Sequence, residues 1–154
     1  MKRIRMIYAL VISTAFVLAI AWIGALAVRP DGEWFMSLNK PSFMPPGTVF
    51  SICWGIIYSL FIYISSRLMA LGFYKPYLPL IAAVNVLSAV WVIVFFDFNR
   101  ILLALGILLI TVVLNFRILY LLCKVRPPLC LLYIPVLLWY CFAFIMNYAV
   151  FMLN

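Results

Sequence analysis

The chain of 154 residues contains no histidine and only three acidic residues, Asp31, Glu33 and Asp97. General acid–base chemistry needs a positioned proton donor or acceptor of suitable pKa. All three acids fall between the apolar runs, so no catalytic dyad or triad is expected and no catalytic residue is assigned. The same scarcity argues against a proton-coupled exporter, which keeps a costly Asp or Glu inside the membrane for ion traffic. The four cysteines, Cys53, Cys123, Cys130 and Cys141, form no C-x-x-C pair, which excludes the usual zinc and thioredoxin-like patterns. Three of the four lie in or beside apolar runs and read as buried small hydrophobes. No metal and no cofactor are expected. Charged residues make up 9% of the chain, too few to cover a soluble core of this length.

What the chain has instead is apolar and aromatic. Hydrophobic residues reach 70% and aromatic residues 18%, with a mean hydropathy of +1.28. That composition reads as an integral membrane protein. The formal charge of +8 does not indicate a nucleic-acid partner, because the polar chain between the apolar runs is too short to build a basic face.

A helix needs about 20 apolar residues to cross the hydrocarbon core. Uncharged runs of that size occupy 7–28, 47–66, 76–96 and 127–154, and a fifth, 101–123, is broken only by Arg117. That arginine can snorkel toward the headgroups. The expected fold is an all-α membrane protein: one domain over 1–154 with five transmembrane helices at about 6–28, 46–67, 76–97, 100–123 and 127–152. Met1 to Arg5 is basic and Ala25-Leu26-Ala27 resembles a cleavage site. The first run is nonetheless too long for an ordinary signal-peptide core, so it reads as a retained helix.

If the helices alternate, Lys2, Arg3, Arg5, Arg67, Lys75, Arg117, Lys124 and Arg126 lie on one side. The other side holds Arg29, Lys40 and Arg100 with all three acids. The positive-inside rule then places the N-terminus inside and the C-terminus outside. Three short connections make the sequential helices neighbours. The first connection, 29–46, is long enough to fold over the bundle mouth. Pro41, Pro45 and Pro46 stiffen it, and Trp34, Phe35 and Phe43 supply apolar anchors.

Helical spacing puts Phe50, Trp54 and Tyr58 on one face of the second helix. It aligns Ser88, Trp91 and Phe95 on the third, and Pro135, Trp139, Ala143 and Asn147 on the fifth. One such stripe is most simply helix packing or an interfacial belt. Three, each with a tryptophan well inside its run, favour a pocket for a large, flat, apolar ligand with polar edges. Asn85, Asn115 and Asn147 are expected to hydrogen-bond across helices, and Asn147 shares the face of Trp139.

These residues resemble the TspO/MBR family, the tryptophan-rich sensory and translocator proteins. Trp34-Phe35, Leu38, Lys40-Pro41-Ser42-Phe43, Pro45-Pro46, Phe50, Trp54 and Tyr58 follow that family's W-Y-x-x-L-x-K-P-x-W/F-x-P-P and F-x-x-x-W-x-x-x-Y. Leu87-Ser88, Trp91 and Phe95-Phe96 resemble its L-N-x-x-W…F-F. Pro135, Trp139, Phe142-Ala143, Asn147 and Asn154 resemble its P-Y-x-x-W-x-x-F-A…L-N…N. The resemblance spans essentially the whole chain.

It implies a multi-pass integral membrane protein of a bacterial membrane, or alternatively of the mitochondrial outer membrane, surrounded by lipid and commonly a homodimer, with a pocket closed by the first loop. The implied partners are porphyrins and other tetrapyrroles or similar hydrophobic small molecules, in a transport-like, regulatory or stress-sensing role. The implied ligand-binding residues are Trp34, Phe35, Pro45, Phe50, Trp54, Ser88, Trp91, Trp139, Ala143, Phe144 and Asn147. Phe35, Ser88 and Val136 replace the family's Tyr, Asn and Tyr, which makes this pocket less polar. The closing Phe151-Met152-Leu153-Asn154 lacks the cation that ends the cholesterol-recognition pattern of animal members. Two other readings stand beside the binding one. Pocket tryptophans could drive light-dependent porphyrin breakdown, or small residues such as Ala15, Ala19, Ala21 and Ala25 could serve a structural or partner-binding role.

Overall fold

A computed structural model describes residues 2–73 and 75–154. Among these the only regular elements are six helices: α1 (Lys2–Ala27), α2 (Glu33–Ser37), α3 (Gly47–Ala70), α4 (Tyr77–Phe96), α5 (Ile101–Val125) and α6 (Pro127–Leu153). All but α2 are long and apolar enough to span a membrane. The five expected spans are therefore present, and the first loop carries a short helix of its own.

Local chemistry explains where the helices begin and end. Pro46 precedes α3 and Pro127 opens α6, positions where a missing N–H costs nothing because the first turn has no partner for it. Gly72 (φ +79°) closes α3. There the Phe73 amide donates to the Leu68 carbonyl at 2.9 Å and the Gly72 amide to that of Met69 at 3.1 Å. This Schellman arrangement satisfies carbonyls that the helix end leaves free. Asn99 turns the chain between α4 and α5 at φ +55°, a conformation asparagine tolerates better than most residues. A single residue, Arg126, separates α5 from α6.

The five spans pack as a ring in the order α1, α3, α6, α5, α4, with slighter contact between α3 and α4 across the middle. The core comes from Phe61, Ile64 and Leu68 of α3, Val84 of α4, Leu108, Ile118 and Leu122 of α5, and Tyr133, Val136 and Tyr140 of α6. Helix α1 lies close on α4, where a Cβ on Gly24 would stand 3.4 Å from the Cα of Ala89. Small residues of this kind let membrane helices approach closely. Trp22, Ala15, Ala19 and Ala25 of α1 face outward, whereas Ala9, Ser13, Val17 and Ala27 are buried.

Two contacts tie the lid end together. Arg29 Nε donates to Asp97 Oδ1 at 3.2 Å, joining the start of the first loop to the end of α4. Asn39 and Asn154 interlock: the Asn39 amide donates to Asn154 Oδ1 at 2.9 Å, and Asn154 Nδ2 donates back to the Asn39 carbonyl at 3.0 Å. Asn39 Nδ2 also reaches the Leu153 carbonyl at 3.3 Å. The first loop is thereby fastened across the mouth of the bundle. At the opposite end, the Arg126 guanidinium lies 5.0 Å from the Phe73 ring.

The cysteines need a correction. Cys123 and Cys130 form a disulfide across the α5–α6 turn, while Cys53 and Cys141 are free and half-buried. No spacing pattern marked the bonded pair; the one-residue turn brings them together.

Candidate functional site

Trp54 of α3 is the hub of an aromatic cluster between α3, α4 and α6. Its ring stacks on Tyr58 at 5.5 Å between centroids and lies 6.1 Å from Trp91, 6.3 Å from Trp139 and 5.6 Å from Tyr140. Phe50 meets Trp139 edge-on at 5.4 Å, and Trp139 continues to Phe142 at 5.5 Å. These are the separations at which aromatic pairs contribute about 0.5–1.5 kcal/mol beyond their buried area. The fourfold spacing of Phe50, Trp54 and Tyr58 puts all three on the inner face of α3, which is how one helix supplies a continuous wall.

A second group of rings sits under the lid. Trp34 of α2 packs edge-on to Phe95 at 5.2 Å, and Phe35 lies 5.3 Å from Phe96 and 6.3 Å from Phe95. Lys40 places its ammonium 4.5 Å from the centroid of Phe35, within reach of a cation–π attraction. Farther along the lid, Phe43 meets Phe142 at 6.4 Å, so rings run from the lid to the hub.

The polar groups of the cluster are neutral. Ser88 Oγ donates its one proton to the Val84 carbonyl at 2.7 Å, which leaves Tyr140 as the donor in the hydrogen bond between the two hydroxyls. Both groups are thereby occupied. Trp91 Nε1, Trp139 Nε1 and Asn147 Oδ1 are different: each is buried and has no hydrogen-bond partner. An unmet buried polar group costs about 1–3 kcal/mol, so each of these calls for a partner such as a water, an ion or a ligand. Two N–H donors among ring faces, with one carbonyl acceptor two turns along α6, suit a flat apolar molecule with oxygen and nitrogen functions at its edges.

The residues singled out in the sequence divide accordingly. Phe50, Trp54, Ser88, Trp91 and Trp139 are brought together. Trp34 and Phe35 join α4 at the lid. Ala143 is fully buried and Asn147 lies two turns beyond Trp139 on the same face of α6. Pro45 and Phe144 are half-buried without a ring contact to the hub, and Pro135, first in the α6 stripe, is exposed. Tyr140 was missed as a cluster member. It is one position from Trp139, hence about 100° around α6 and off the stripe, yet α3 lies close enough to meet both.

The asparagines also differ from expectation. Asn115 does bond across helices, accepting from the Tyr133 hydroxyl of α6 at 2.7 Å. Asn85 donates only within α4, to the Ile81 carbonyl at 2.8 Å, and its Oδ1 has no partner. Two concavities lie away from the aromatic hub, one between the lid and α6 and one among α1, α3 and α4.

Residues 13–153 match the TspO/MBR family. The tryptophan-rich sensory protein of Cereibacter sphaeroides is 29% identical over 131 residues, which cover 85% of this chain and 82% of that protein. Protein CrtK of Rhodobacter capsulatus is 26% identical over 150 residues, 94% of each chain.

Proposed function

The chain belongs to the TspO/MBR family, and on that footing we propose that it is a membrane sensory protein that binds porphyrins or similar hydrophobic molecules. The ligand would lodge among Phe50, Trp54, Trp91 and Trp139, beneath a lid formed by Trp34 and Phe35. Pro45, Ser88, Ala143, Phe144 and Asn147 would complete the walls. The observation that carries this reading is the pair of buried, unpartnered indole groups Trp91 Nε1 and Trp139 Nε1, on the two tryptophans that flank Trp54; Asn147 Oδ1 is likewise unpartnered two turns farther along α6. The name of the Cereibacter relative, a sensory protein, supports the role.

Mechanistically, the lid must lift before a ring the size of a tetrapyrrole can reach the hub, because the aromatic side chains already touch. Binding would replace ring–ring contacts with ring–ligand contacts of similar strength. The net gain would come from hydrogen bonds to the three unmet groups and from apolar area removed from water. Protein that has bound would differ from free protein chiefly at the lid, which gives a sensory output a physical basis. The basic end would face the cytoplasm and the lid the opposite compartment, as the positive-inside rule requires.

Protoporphyrin titrated into the purified protein should quench tryptophan fluorescence saturably, and Trp54→Ala or Trp139→Ala should weaken that binding. Unchanged quenching in both variants would remove these residues from the site. A second reading draws on the contacts of Trp54 with Trp91 and Trp139 at 6.1 and 6.3 Å: an excited porphyrin could take an electron from an indole, with dissolved dioxygen as the oxidant that then opens the ring and takes up the electron. Porphyrin absorbance lost under illumination no faster than in detergent alone would end that reading.

A further inference from the structure

The concavity between the lid and α6 is an open groove of about 560 Å³, and it has the makings of a lipid site. Its long wall is a track of Ile145, Ala149 and Met152 on one side of α6, with Phe43 facing it from the lid. The spacing i, i+4, i+7 keeps the three on one face, and the track runs about 10 Å down the helix from the lid end. Ala149, the smallest side chain of the track, leaves a notch between Ile145 and Met152. Ile145 is 55% and Met152 62% exposed, so this apolar surface has no protein cover.

The groove's polar groups sit at the lid end. Lys40 lines the mouth, and its ammonium rests on the Phe35 ring rather than on a carboxylate. The one salt bridge among the described residues joins Arg29 and Asp97, so Lys40 has no salt-bridge partner. Tyr148 adds a phenol to the same groove. Cationic top and aliphatic track together match an amphiphile with a negative head and a flexible chain. A flat ring would find one aromatic wall here, whereas the hub offers several.

We propose that this groove binds one phospholipid with an anionic headgroup, the phosphate against Lys40 and an acyl chain along Met152, Ala149 and Ile145. The site is independent of the porphyrin reading, since it uses none of the hub residues. It adjoins the interlock of Asn39 with Leu153 and Asn154, so a headgroup held by Lys40 would add a tie across the same seam and favour the closed lid. One lysine near a membrane surface favours an anionic over a zwitterionic lipid about fivefold.

The test is native mass spectrometry of the full chain released from bilayers of equal dioleoylphosphatidylglycerol and dioleoylphosphatidylcholine. Wild type should retain one phosphatidylglycerol in about fivefold preference. Lys40→Gln should lose the preference while still retaining lipid, and Ala149→Trp, which fills the track, should retain neither. Circular-dichroism melting checks that each variant is folded; should Ala149→Trp fail to fold, Lys40→Gln decides alone. Equal retention of the two lipids by wild type overturns the proposal, as does an undiminished preference in Lys40→Gln. A dimer mass carrying no lipid also overturns it, and would assign the groove to a second copy. Porphyrin titration of the wild type in phosphatidylcholine alone reports separately on the hub, so failure at one site is not mistaken for failure at the other.

Discussion

Asn154→Ala should loosen the lid without loosening the bundle. The Asn154 side chain makes two hydrogen bonds to the lid, accepting from the Asn39 amide at 2.9 Å and donating to the Asn39 carbonyl at 3.0 Å. Both residues are exposed, so the groups freed by the substitution are rehydrated and carry no penalty for burial. Each lost bond is then worth the net value of a neutral hydrogen bond, about 0.5–1.5 kcal/mol and here nearer the lower figure. Two of them give about 1–2 kcal/mol, a factor of about 5–30 in the equilibrium between closed and open lid. The third tie, from Asn39 Nδ2 to the Leu153 carbonyl, remains. Hydrogen exchange in nanodiscs reads this directly, because the Met36 and Met44 amides are bonded within the lid at 2.9 and 3.0 Å. Their protection should fall about 5–30-fold, with that of α4, α5 and α6 unchanged. Undiminished lid protection would show that the rings under Trp34 and Phe35, not the asparagine interlock, hold the lid. Equal loss throughout the helices would show that the lid and bundle open as one unit.

Four further experiments probe other parts of the molecule. Tyr133→Phe strands the buried Asn115 Oδ1 and should cost about 1–3 kcal/mol in chemical unfolding, much less when Asn115→Leu is already present. Asn147→Leu removes an unpartnered buried oxygen, so the ligand-free protein should melt at the same temperature or higher while porphyrin affinity falls; a lower melting temperature would mean that the oxygen is already satisfied. Trp54→Ala removes the hub of the cluster and should destabilise by about 3 kcal/mol, the low end for a large aromatic because the ring is half-buried. With the native cysteines replaced, an impermeant maleimide applied to whole cells should label Phe98→Cys but not Lys75→Cys; the reverse pattern would invert the proposed orientation.

Most of the fold was legible because bilayer thickness imposes a length and helical periodicity imposes a face. The five spans follow from the first constraint, and the wall of Phe50, Trp54 and Tyr58 from the second. Proline chemistry at Pro45 and Pro46 marked the start of α3 in the same local way. What stayed hidden depends on which helix stands beside which. The ring order brings α3 against α6, so Trp54 meets Tyr140 as well as Trp139, although only Trp139 lies on the stripe. Ser88 reads as a shorter, less polar stand-in for the family's asparagine; that its hydroxyl is bonded to Tyr140 as well as Val84 depends on the helix opposite. The interlock of Asn39 and Asn154 joins residues 115 positions apart, beyond any local pattern. Phe35 in place of tyrosine suggested a less polar site, and its ring instead underlies the Lys40 ammonium.

On the proposed function, the unmet indole N–H groups of the hub are there to meet a ligand. Trp91→Phe and Trp139→Phe keep a ring at each position and delete only the donor and part of the indole. Protoporphyrin binding, followed through the Soret band at equilibrium in nanodiscs, should weaken about 5–30-fold in each variant, the equivalent of one hydrogen bond at about 1–2 kcal/mol. Wild-type affinity in both would contradict the assignment of the site to this cluster.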